Sequence, residues 1–179
     1  MDTEKRELIV LDLDGTLITY DSFGKLVKMH LFYPAVLLQT LLRKLRIIDA
    51  YTFKCRIVTF LQKKTWCPDL FAQQIIHSFQ PEVIQKIEKN ITPLSQIILL
   101  SASPDVYVSE IAKQMGWAGF GSITGKEYMD PLFHLHGKNK LLFLQKRYPK
   151  GVYLYKFAIA DSESDLALLE QFENYELLK

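Results

Sequence analysis

Residues 11–17, LDLDGTL, close an apolar run with two aspartates one residue apart and turn at once at Gly15. Carboxylates repel each other and resist leaving water, so a pair at the mouth of a buried strand calls for a compensating partner. Taken alone, Asp12 and Asp14 also suit a plain turn before glycine, because Asp and Gly are common turn formers. The remainder of the chain chooses between these readings.

ELIVLDLDGTL is a short apolar run of the kind a parallel sheet buries on both faces, with Asp12 at its carboxyl end. A second run, QIILLSASPD (96–105), ends in Ser101 and Ser103 before Pro104, where a helix can start. Val108, Ile111, Ala112 and Met115 then recur at helical spacing, and Gly116 is placed to end that helix. AGFGSIT (118–124) reads as a strand, NKLLFLQKRYP (139–149) as a helix stopped near Pro149, and YKFAIADSESDLALLEQF (155–172) as strand, acidic turn and helix. Short apolar strands alternating with helices predict an α/β fold with a parallel sheet covered on both sides.

Residues 19–90 break that alternation. In PAVLLQTLLRKLRII (34–48), Leu37, Leu38, Leu41, Leu42, Leu45 and Ile48 recur at helical spacing, with Arg43, Lys44 and Arg46 mostly opposite. DAYTFKCRIVTFLQKK (49–64) and PDLFAQQIIHSF (68–79) continue the helical pattern, and none of these runs is long or apolar enough to span a bilayer. The expected organisation is a discontinuous α/β core, 1–19 and 92–179, with an all-helical cap, 20–91, overhanging the carboxyl ends of the strands, where such sheets bind ligands.

Composition bounds the rest. The 179 residues are 49% hydrophobic, with glycine and proline at only 15 positions, which excludes disordered and low-complexity classes and allows one substantial core. MDTEKRELIV reaches a strand-like run within seven residues, so no secretion signal is expected; Cys55 and Cys67 lack CxxC context and read as reduced thiols in a cytoplasm. The net charge is +2, but residues 25–64 hold nine Lys or Arg and one acid, a local +8 that can steer anionic ligands or simply solvate a helical face.

Asp12, Ser101 and Asp161 are each the first polar residue after a separate apolar run, so a parallel sheet would set them side by side along one edge. Clustered carboxylates there call for a hard divalent cation, and Mg²⁺ takes few protein carboxylates while keeping water and phosphate oxygens. One carboxylate can then attack phosphorus to give an aspartyl-phosphate, while a second moves protons.

Four stretches carry a resemblance: LDLDGTL (11–17), LLSASPD (99–105), the lysines of HGKNKLLFL (136–144) and IADSESD (159–165). In that order and spacing they resemble the four motifs of the haloacid dehalogenase-like (HAD) superfamily, and in particular its phosphoserine-phosphatase-like hydrolases with a helical cap after the first motif. The resemblance covers roughly 1–19 and 92–170 together with the position of the insert, and it implies a three-layer Rossmann-like core. It implies that Asp12 is the nucleophile and a Mg²⁺ ligand, that Asp14 is the general acid and base with its carbonyl on the metal, and that Thr16 lies beside the phosphoryl group. Ser101 and the backbone of Ala102 would bind phosphoryl oxygens, a lysine would neutralise them, Asp161 would be the third protein ligand to the metal, and Asp165 would support it. Lys140, four residues before Leu144 and on a helical face, suits that lysine; Lys138, two residues earlier, is the alternative. The acid at position 14 points to phosphate chemistry, since the dehalogenases of the superfamily lack it. Ala160 departs from the glycine usual before the last acid motif.

The expected activity is hydrolysis of a small phosphorylated metabolite with Mg²⁺, with no nucleic-acid partner, no stable membrane insertion and oligomeric state open. A phosphomutase using the same intermediate and a non-catalytic module with this fold are the alternatives. Asp21 stands where phosphoserine-specific relatives carry a glutamate for the substrate ammonium, and it equally suits the cap of the first inserted helix. His134 and His136 read as surface or substrate-loop residues rather than metal ligands, and Trp66 and Trp117 as packing residues. The segment Pro34–Ile48 can lie on anionic lipid, although packing within the cap explains the same pattern. The chain ends at ENYELLK (173–179) soon after the last motif, which reads as a short or shortened member, because relatives often continue with a further strand and helix.

Overall fold

A computed structural model describes residues 5–64, 66–124 and 133–178; residues 1–4, part of the stretch from which no leader is expected, lie outside this set. Five strands, β1 (Arg6–Leu11), β2 (Ser95–Pro104), β3 (Ala118–Ser122), β4 (Tyr153–Ala160) and β5 (Asn174–Leu177), form one sheet in the order β3-β2-β1-β4-β5. Every pairing is parallel. The fold is α/β and Rossmann-like. The strand order reverses at β1, so the crevice beyond its carboxyl end, between β2 and β4, is where such a sheet binds its ligand.

The alternation along the central strands builds the layers. Leu8 and Val10 of β1 point with Ile98, Leu100, Tyr155 and Ala158 into one core, which is closed by Leu144 of α7 (Lys138–Arg147) and Leu168 and Leu169 of α8 (Leu166–Leu169). Ile9, Leu11, Leu99, Phe157 and Ile159 point the other way, against Tyr107, Val108, Ile111 and Ala112 of α6 (Asp105–Met115). A register shift on β4, which skips Lys156 between Tyr155 and Phe157, lets the two aromatic rings face opposite layers. Gly116, at φ 72, ends α6 in the left-handed conformation that glycine adopts without strain.

Between β1 and β2 the described residues form five helices: α1 (Ser22–Met29), α2 (Pro34–Lys44), α3 (Ala50–Gln62), α4 (Pro68–Ile76) and α5 (Pro81–Lys89). Leu26, Val36, Ile57, Phe71 and Val83, one from each, belong to the same buried cluster as the sheet face that carries α6. Asp21 caps α1 by accepting from Gly24 N at 3.1 Å, and Asp49 caps α3 from Tyr51 N and Thr52 N, both at 2.8 Å.

One expectation needs correction. Most of the apolar stripe of 37–48 does not pack inward: Leu37, Leu38, Leu41 and Leu45 are exposed, Leu42 is half-buried, Ile48 is buried, and Val36 is the one residue of α2 that is buried. Helical periodicity defines a face without saying which way it points, and on α2 it is Val36 that joins the buried cluster. In the tail ENYELLK, β5 pairs with β4 from Asn174 to Leu177.

Candidate active site

Adjacent strands bring the first polar residues together. Asp12 follows β1, Asp161 follows β4, and Ser101 lies near the end of β2, on the three central neighbours of the sheet. Asp12 is 8% exposed, and its backbone N–H donates to Ile159 O at 3.0 Å, which holds it at the β1–β4 crevice. The third residue of α7, Lys140, is buried on the same face as Leu144 and donates from Nζ to Asp12 Oδ1 at 2.8 Å and to Asp165 Oδ2 at 2.5 Å. Burial by itself would lower the pKa of this ammonium, but the charges of Asp12 and Asp165 outweigh it and raise the pKa, so Lys140 stays protonated. Lys138, at the first position of α7, is exposed. Asp165 therefore meets Lys140 directly.

Asp14 is held by residues that sequence reasoning assigned no role. Its Oδ1 accepts from Ser22 N at 2.6 Å, and its Oδ2 accepts from the Ser103 hydroxyl. Ser103 Oγ is 3.1 Å from Ser22 Oγ, which is 2.9 Å from the Tyr107 hydroxyl, so three buried hydroxyls form a chain ending on the carboxylate. Burial raises the Asp14 pKa above the ordinary carboxylate range; the Ser103 and Ser22 hydrogen bonds oppose this, and the charge of Asp12 adds to it. Burial and the Asp14 charge push the Tyr107 phenol well up, so it remains a neutral donor. Ser103 sits two residues from Ser101 on one extended strand, a spacing that signals a shared face; Tyr107 reads in sequence only as a core residue.

Thr16 is fully buried and its Oγ1 has no hydrogen-bond partner among the described residues. The turn that carries it is clamped by Gln80, whose Nε2 donates to Thr16 O at 2.6 Å and whose N–H donates to Leu17 O at 2.8 Å. Ser101 Oγ accepts from Ser103 N at 3.1 Å, which leaves its own proton to donate. The Ala102 carbonyl accepts from Ser122 Oγ and from Lys54 Nζ, both at 2.7 Å. Lys54 comes from α3; burial lowers its pKa while the charges of Asp14 and Asp21 support the ammonium. In the sequence it was one cation among nine.

Asp161 presses against the first turn. A Cβ on Gly15 would lie 2.0 Å from Asp161 Oδ2, and Gly15 has φ +73, so only glycine lets this carboxylate come so close to the 12–15 loop. Burial, then the negative charge of Asp12, raises the Asp161 pKa. Among the described residues no three His, Cys, Asp or Glu side chains gather to hold a metal. The negative charge of Asp12 acts on Asp161, and two such carboxylates suit a hard cation that keeps most of its water, as Mg²⁺ does.

The remaining candidates make ring contacts. His134 stacks on Tyr51 with ring centroids 5.2 Å apart and on His136 at 5.6 Å, and Trp117 stacks on Phe79 at 6.2 Å. Trp66 packs edge-on against Phe71. A cavity of about 410 Å³ between β3 and α7, lined by Asp105, Phe120, Phe143 and Lys146 among others, contains none of the residues gathered around Asp12.

Comparison with known proteins identifies the fold and the family. The family model for haloacid dehalogenase-like hydrolases matches residues 9–170. A protein of unknown function from Bordetella pertussis Tohama I superposes with a TM-score of 0.67 at 15% identity, over 96% of this chain and 89% of that one. A phosphoserine phosphatase in a phospho-aspartyl intermediate analogue form is similar at TM-score 0.57 and 17% identity, over 96% and 86% of the two chains. A substrate-bound phosphoserine phosphatase is similar at 0.55 and 16%, over 97% and 86%. No curated protein matches the chain. With the family model matching from within β1 to the end of α8, the chain belongs to the haloacid dehalogenase-like hydrolases.

Proposed function

We propose that the protein is a phosphatase that hydrolyses a small phosphomonoester through an aspartyl-phosphate on Asp12, with Mg²⁺ as cofactor. The observation that carries this reading is the buried Lys140 bridging Asp12 and Asp165, with a second acid, Asp14, two residues on and held separately by Ser22 and Ser103. A nucleophile and an acid with opposite protonation needs are thus placed in different surroundings.

In this mechanism an Asp12 oxygen attacks phosphorus while Lys140 balances charge on the phosphoryl oxygens. Protonated Asp14 gives its proton to the leaving alkoxide; the resulting carboxylate, kept in place by Ser22 N–H and Ser103, then takes a proton from the water that attacks the phospho-enzyme. The unpartnered Thr16 hydroxyl, the free proton of Ser101 and the backbone at Ala102 are donors for the phosphoryl oxygens. Asp12, the Asp14 carbonyl and Asp161 would hold Mg²⁺, which when bound supplies charge neutralisation at the phosphoryl group. We read α1–α5 as the cap: Ser22 reaches Asp14, Lys54 reaches Ala102 and Gln80 reaches Thr16, so the insert contributes walls to the site.

Purified protein with Mg²⁺ is expected to release phosphate from a generic aryl phosphate, to lose this on chelation and regain it with added Mg²⁺. Asp12→Asn is expected to abolish turnover and the acid-stable trace of a trapped acyl phosphate. Equal rates for Asp12→Asn and wild type would overturn the mechanism, and a phosphometabolite panel scored by released phosphate would name the substrate.

A further inference from the structure

The most conspicuous surface of the molecule is not at the strand ends. Phe32, Leu37, Leu38, Leu41, Leu45 and Ile47 are all more than half exposed, Phe32 at 72% and Ile47 at 64%. The four leucines lie within an arc of about 100° of α2 and its C-terminal cap, so they form one stripe, with Phe32 before the helix and Ile47 after it. An apolar face this continuous marks an interaction surface. The membrane is the occupant its rim favours. Lys44 and Arg46 are exposed at and just beyond the end of α2, Lys28 is exposed in the last turn of α1 four residues before Phe32, Arg43 is half-buried, and Arg56 of α3 reaches α2 through Gln39 at 3.1 Å. No acidic residue occurs between Asp21 and Asp49. A two-fold dimer through this face would bring these cations against their own copies with no acid to answer them, whereas anionic head groups answer all of them.

We propose that the apolar stripe of α2, with Phe32 and Ile47 at its ends, docks the protein on an anionic lipid bilayer, the leucines entering the head-group boundary and Lys28, Lys44 and Arg46 pairing with lipid phosphates. No helix among the described residues is long and apolar enough to cross a membrane, so this is peripheral attachment in the plane of the interface. The proposal does not depend on the phosphatase reading, since none of these residues touches Asp12, Asp14 or Lys140.

The test is flotation of the intact protein with vesicles of phosphatidylcholine alone and of phosphatidylcholine mixed equally with phosphatidylglycerol. Binding is expected to the mixed vesicles, to be at least about tenfold weaker to the neutral ones, and to fall as salt rises. The Leu41→Ser, Leu45→Ser double variant and the Lys44→Gln, Arg46→Gln double variant are each expected to weaken it by about tenfold or more, with the far-ultraviolet circular dichroism and thermal midpoint of the wild type retained. Absence of binding to the mixed vesicles, or binding that both double variants keep, overturns the proposal. So does a concentration-dependent dimer that Leu41→Ser, Leu45→Ser dissolves while vesicles are not bound, which would assign the face to a second copy.

Discussion

Lys140 Nζ lies 2.8 Å from Asp12 Oδ1 across 128 residues of chain, and its other carboxylate partner, Asp165, is equally buried. One ammonium therefore serves two acids that have little water to turn to and offsets half of their combined charge. Lys140→Met is expected to leave both uncompensated and to destabilise the protein by about 3 kcal/mol in urea unfolding at neutral pH. The same change should lower turnover of an aryl phosphate by about a hundredfold or more. Lys138→Met, on the exposed first position of α7, should change neither measurably.

The hydroxyl chain behind Asp14 separates positioning from packing. Ser103→Ala removes one of the two donors to the carboxylate, and turnover is expected to fall by about tenfold, consistent with a lost hydrogen bond to a charged group. Tyr107→Phe removes only the far end of the chain, where Ser22 retains Ser103 as a partner. It should cost about 1 kcal/mol of stability and leave turnover nearly unchanged. Steady-state kinetics beside urea unfolding of both variants distinguishes the two roles; an equal loss of turnover in Tyr107→Phe would merge them.

Gly15 and Gly116 make a matched pair. Both have φ close to +73, but a Cβ on Gly15 would strike Asp161 while one on Gly116 would meet nothing within 4 Å. Each alanine substitution should therefore cost about 1 kcal/mol of backbone strain. Only Gly15→Ala should also displace Asp161 and raise the Mg²⁺ concentration needed for half-maximal activity, by about tenfold or more. A Mg²⁺ titration of the two variants reads the difference directly.

His134 is expected to make the protein acid-sensitive. Burial first, then the charges of Lys54 and His136, lower its pKa from 6.5 to about 4, with Asp49 opposing. The unfolded chain binds this proton more readily than the folded one, so the contribution is full above pH 6.5 and is lost as the pH falls through about 4. His134→Phe keeps an aromatic ring stacked on Tyr51 and removes the titration. Its urea midpoint should fall less than that of the wild type as the pH is lowered through this window; identical slopes would show that other groups carry the acid sensitivity.

Much of the fold is legible in LDLDGTL and its counterparts because a strand buried on both faces must be continuously apolar, and a polar residue that ends such a run stands out. ELIVLDLD, QIILLSAS and KFAIAD thereby announced three central strands and the acids and serine at their ends, and LDLDGTL placed Asp12 and Asp14 two residues apart without any knowledge of the partners. Those are properties of neighbours along the chain. What the chain could not announce is any relation that depends on where an element comes to rest. Lys140 rather than Lys138 meets Asp12 because α7 begins at Lys138 and turns its third residue inward with Leu144. Ser22, Ser103 and Tyr107 meet around Asp14 across 81 to 89 residues, and Lys54 reaches Ala102 from the insert. The leucine stripe of α2 shows the limit most plainly. Its period dictated a helix with an apolar face, but whether that face turned to the core or to the outside depended on which side of α2 met α3, a choice made by packing in three dimensions and invisible in a pattern of one.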